Sequence, residues 1–134
     1  MTEYEELLSG AVSGLRGGGL AAAIGAAASV FEAIRLSADA YAGTEPELFA
    51  TWLMTAAEAA DGRDALLRPA PERSAPLVPA PGIAAGQLAR LARALTDLLA
   101  EASGRAGDPA DVAACERAAA CAERIHDLLA QDTS

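Results

Sequence analysis

The chain has no lysine, no asparagine, a single histidine and only 4% aromatic residues. Each scarcity excludes something. Nucleophilic catalysis needs a nucleophile, a base and a group that orients the base. One histidine near the C-terminus, no lysine and no glycine-rich loop after a strand leave little to assemble. Valine and isoleucine are too few and too scattered to build a sheet. All ten basic residues are arginines dispersed along the sequence, against 19 acidic ones, for a formal charge of −9. Nucleic acids and anionic membranes are bound by clustered cations that displace counterions. This balance therefore argues against both partners.

Long apolar runs are also missing. The longest charge-free stretch near the N-terminus, Gly17 to Phe31, has 15 residues, fewer than the ~20 that span a bilayer. It is preceded by Glu3, Glu5 and Glu6 rather than by the basic region of a signal peptide. A cytoplasmic protein is expected. The two cysteines, Cys115 and Cys121, fall six residues apart on one predicted helix. Helix rise separates their Cα atoms by about 9 Å, beyond disulfide reach. Reduced, buried thiols fit a reducing compartment.

What is abundant is alanine, at 36 of 134 residues. With lysine and asparagine absent, the bias points to a GC-rich bacterial genome. Alanine is the best helix former, so the fold class is expected to be all-α. The stretch Ile83 to Ala106 organises the rest. Leu88, Leu91, Leu95 and Leu98 recur at spacings of three and four, flanked by Ala84 and Ala102, and make one apolar stripe. Arg90, Arg93, Asp97 and Glu101 fall on the opposite side. Such a stripe needs a covering surface from elsewhere in the chain.

Four other segments supply helical patterns. Thr2 to about Leu15 carries Tyr4, Leu7, Leu8, Ala11 and Leu15 on one face, with its glutamates near the positive end of the helix dipole. Leu20 to about Ala42 is long and rich in small residues. Ala21, Gly25 and Ser29 recur at i+4, a pattern that lets a neighbouring backbone come close. Thr44-Glu45-Pro46-Glu47 reads as a capping box with proline in the first turn. The helix it opens runs through Leu48, Phe49, Trp52 and Leu53 and fades by Leu67. Asp108-Pro109-Ala110-Asp111 opens the last helix, with Asp108 as N-cap. That helix is centred on Cys115, Ala118, Ala122, Ile125 and Leu129.

Residues 68–82 hold five of the seven prolines. No helix survives that density, so an extended, polyproline II connection is expected. Leu77-Val78 within it would pack back on the bundle or serve as a docking peptide. The expectation is one domain, residues 1–134. It is an antiparallel bundle of four main helices with a short N-terminal helix. Counting that short helix first, the proline-rich linker joins the third helix to the fourth.

Two constellations suggest chemistry. Glu123-Arg124-Ile125-His126 is a Glu-x-x-His on a bundle helix, the i, i+3 spacing that lets two side chains share a metal. Its conceivable partners are Glu32, Glu58 and Glu101. Only one such motif is present, and the wheel sets both side chains off the apolar stripe. Cys115, Cys121 and His126 offer too few thiols for a soft-metal store. No catalytic residue, metal ligand or cofactor is therefore assigned.

The expected function is non-enzymatic: a small acidic helical bundle that works by protein–protein interaction or homo-oligomerisation, a homodimer included. Phe49, Trp52, Leu91 and Leu95 are the candidate interaction residues, although a bulky pair such as Phe49 and Trp52 equally suits an alanine-rich core. The alternative is a bundle that binds a small molecule or metal between its helices, near Trp52 or at Glu123 and His126.

Overall fold

The computed structural model describes residues 19–70 and 84–133, and these are almost entirely helical, with no strand among them. The expected N-terminal helix, and the proline-rich segment from residue 71 onward, lie outside the described residues. Four helices pack against one another: α1 (Leu20–Thr44), α2 (Phe49–Leu67), α3 (Ala85–Arg105) and α4 (Pro109–Thr133). A 3-10 turn, Pro46–Leu48, joins α1 to α2. α1 lies along α2, α2 along α4 and α4 along α3, and a lighter α1–α3 contact closes the ring.

The leucine stripe does what its spacing demands. Leu88, Leu91, Leu95 and Leu98 are buried together with Ala92, Leu99 and Ala102. Arg90, Arg93, Asp97 and Glu101 are exposed. On α4, Cys115, Ala118, Ala122, Ile125 and Leu129 are buried, and Glu116, Glu123 and Asp127 face outward. Asp108 caps this helix: the Ala110 N–H donates to Oδ1 at 2.9 Å, and Pro109, which has no N–H to satisfy, is the first helical residue. The opposing core surface on α1 is Ile24, Val30, Phe31 and Ile34 among alanines. Each fully buried large side chain contributes roughly 1.5–3 kcal/mol relative to exposure.

Two sequence expectations are corrected here. Thr44 does not open α2; it is the last residue of α1, and its hydroxyl donates to the Tyr41 carbonyl at 3.3 Å. No side chain caps the turn that follows or α2 itself. The cause is Pro46, whose ring disfavours helical backbone at the residue before it. Glu45 accordingly sits at φ −125°, ψ 81°, and the break falls there. The second correction concerns close approach. Ala21 is exposed, and Gly25 and Ser29 are only half-buried, so that stripe lies off the core. The tight contact is at Gly62 on α2, where a Cβ would come within 2.5 Å of the Phe31 ring.

By length and composition α1 could cross a membrane, although half of its most apolar window is buried within the bundle. The core helix of a water-surrounded bundle passes the same test.

Candidate functional site

α2 carries apolar residues around most of its circumference. At 100° per residue, Leu66, Ala59, Trp52, Ala56, Phe49, Ala60, Leu53, Ala57, Ala50 and Met54 cover about 240° of the wheel. A helix at the edge of a four-helix ring buries only part of such an arc. The buried face of the helix holds Trp52, Thr55, Ala56, Ala59, Gly62, Ala65 and Leu66. The outward part leaves Phe49, Leu53 and Met54 exposed at 50%, 45% and 53%. Ala50 and Ala57 are exposed between them. These five residues form one continuous apolar patch on the first two and a half turns of α2.

Phe49 and Trp52, paired in the sequence reading, are thus parted. Trp52 is buried, stacks on Tyr41 with ring centroids 4.8 Å apart, and donates its indole N–H to Glu45 Oε2 at 3.2 Å. Its polar edge is satisfied and its rings are core. Leu91 and Leu95 are likewise buried against the chain's own helices, so they hold the fold together and offer no free surface. Of the four candidate residues, Phe49 alone is exposed. Leu53 and Met54, not singled out from the sequence, join it. The width of the apolar arc was the signal that could have found them.

Charge around α2 is mostly committed to internal pairs. Glu32 of α1 is held by Arg35 on its own helix and by Arg63 of α2. Arg35 also reaches Asp39 at 3.0 Å, and Arg63 reaches Asp64 at 3.2 Å. The Arg35 hydrogen bond, helped by both guanidinium charges, holds the Glu32 carboxyl below its ordinary range despite desolvation. Glu58 accepts from Arg124 of α4 at 2.9 Å, and Glu101 pairs with Arg105 at 3.0 Å. The three carboxylates that could have joined a metal site are therefore each engaged by an arginine. Glu47, in the 3-10 turn before α2, and Asp61, on α2, are exposed at either end of the apolar patch and make no ion pair among the described residues.

The Glu-x-x-His motif lies on a second feature, a groove of about 370 Å³ along the α3–α4 seam. Arg93, Thr96, Asp97, Glu123, His126 and Asp127 line it. His126 Nδ1 is 3.6 Å from the Asp127 carboxylate. A neighbouring groove on the same seam shares Glu123. Among the described residues, no three His, Cys, Asp or Glu side chains come together as metal ligands. Arg93 adds a positive charge where a cation would sit.

Both cysteines are buried and unbridged. The Cys121 thiol is pushed above its ordinary pKa, first by burial and then by the nearby Glu58 charge. Arg124 donates to its sulfur at 3.4 Å. A thiol kept protonated is a poor nucleophile and a poor metal ligand.

No protein-family model, curated protein or solved structure matches the chain.

Proposed function

We propose that this protein is a non-enzymatic, acidic, cytoplasmic helical bundle that acts by binding a protein partner or a second copy of itself, through the outward face of α2. The observation that carries the reading is the patch of Phe49, Leu53 and Met54, three large apolar side chains about half exposed on one helix face. Isolated exposed apolar residues are ordinary; a contiguous set on one helix face is where a partner would gain most by covering apolar surface. The bundle is read as antiparallel. Tyr41 meets Trp52, and Phe31 meets Gly62, so partners on α2 fall in number as those on α1 rise. α1 is read as the core helix of this bundle rather than as a membrane span.

Native mass spectrometry on the chain purified from its own host tests the reading. A second polypeptide in the particle is the expected result. A bare monomer, or a monomer with only a small added mass, would contradict it.

The α3–α4 groove favours a second reading, a site for a small polar ligand held by Arg93 and the carboxylates opposite it. A small added mass that disappears in a His126→Ala variant would establish that reading instead.

A further inference from the structure

We propose that the occupant of the α2 face is a basic amphipathic helix contributed by another protein. Its apolar stripe would lie on Phe49, Leu53 and Met54, and its Lys or Arg side chains would meet Glu47 and Asp61. The proposal rests on the reading of α2 as the binding face and names what binds there.

Three observations select this occupant. The first is area. Three large side chains about half exposed present on the order of 300 Å², well under the ~800 Å² per partner of a stable protein–protein interface. A single helix laid along α2 matches a strip of that size, whereas a bundle-on-bundle contact would draw in polar surface on both sides.

The second is the charge left over after internal pairing. Arg63 and Arg124, the basic residues nearest the patch, are engaged by Glu32, Asp64 and Glu58. Among the described residues, Glu47 and Asp61, which flank the apolar strip roughly 20 Å apart by helix rise, make no ion pair, and the exposed cation Arg68 follows two turns beyond Asp61. A helix with cations about three to four turns apart places one on each.

The third is what happens with a second copy. Two α2 helices packed antiparallel about Leu53 and Met54 set Glu47 of one copy beside Asp61 of the other, at both ends. Packed parallel, they set Glu47 against Glu47 and Asp61 against Asp61. In both of these registers, centred on Leu53 and Met54, like charges meet, in a chain that already carries −9. A basic helix reverses each of those contacts.

The test uses two synthetic helical peptides of roughly four turns. They share one apolar stripe at i, i+4 and i+7; one has Lys at both ends and the other has Glu. Binding to the full chain is followed by fluorescence anisotropy at low and moderate salt. The Lys-flanked peptide is expected to bind at least about tenfold tighter than the Glu-flanked one, with the advantage shrinking as salt rises. Phe49→Gln with Leu53→Gln removes apolar contact without altering charge and is expected to weaken binding of the Lys peptide by about tenfold or more. Glu47→Lys with Asp61→Lys is expected to invert the preference between the peptides.

Equal binding of the two peptides, or a preference that the charge-reversed variant leaves in place, would overturn the proposal. If neither peptide binds while the chain self-associates in a manner abolished by Phe49→Gln with Leu53→Gln, the basic helix is wrong and the α2 face stands. If that variant leaves both peptide binding and every native assembly unchanged, the reading of the α2 face falls as well.

Discussion

Gly62 is where a single atom matters most. Its missing side chain admits the Phe31 ring, and an added Cβ would approach that ring to 2.5 Å. Phe31 is itself fully buried, so the ring has nowhere to retreat. Gly62→Ala therefore sets overpacking against the better helix propensity of alanine. The contact should prevail, with a net loss of about 1–3 kcal/mol in urea unfolding. A stabilised Gly62→Ala variant would show that α1 and α2 are not packed as described. Thr55 lies at the other extreme: fully buried, with a hydroxyl that has no hydrogen-bond partner among the described residues. Thr55→Val keeps the shape and removes the unsatisfied group. It is expected to be neutral or stabilising by about 1 kcal/mol.

Glu32 supplies the pH dependence that can be assigned to one side chain. Arg35, with Arg63, depresses its pKa in the fold from an ordinary value of 4.5. A group depressed on folding contributes stability that is present above the unfolded pKa and is lost as pH falls through the folded one. The melting temperature of wild type should therefore fall toward that of Glu32→Gln as pH drops from about 5 to about 3. A gap between the two that stays constant over that interval would remove Glu32 from the account.

At the scale of the element, the helices differ in how far their sequences disclosed them. α3 and α4 were legible because each has one apolar stripe with charge opposite, so periodicity has a single solution. α1 was legible as a helix but not in its packing: alanine suits core and surface alike, and the i+4 stripe of Ala21, Gly25 and Ser29 points away from the tightest contact. α2 misled twice. Its start was displaced because Pro46 acts on the backbone of Glu45, while Thr44 finds acceptors at the end of α1. Its bulky residues were taken together because an apolar arc of about 240° has no single inward direction. Only the positions of α1 and α4 decide that Trp52 turns in and Phe49 turns out. The division is testable in one comparison. Phe49→Gln with Leu53→Gln should change stability by no more than about 0.5 kcal/mol per site, as exposed positions do. Leu91→Asp with Leu95→Asp should unfold the chain, since each places an unpaired carboxylate in the core.

For the whole molecule, the sequence disclosed an all-α fold, and the four packed helices agree with that class. The candidate site was less legible, because an exposed apolar face is defined by what the rest of the fold leaves uncovered. Glu58 pairs with Arg124 across 66 residues of sequence, and no local pattern announces such a partner. The same pairings explain why the carboxylates suggested for a metal are engaged elsewhere and why the negative charge at the ends of the α2 patch is uncompensated.

The most direct measurement is the native mass of the particle formed by wild type and by the Phe49→Gln, Leu53→Gln variant, each purified from the native host. Wild type should carry a second polypeptide that the variant lacks, while both chains melt at nearly the same temperature. Identical particles from the two proteins would contradict the assignment of α2 as the binding face.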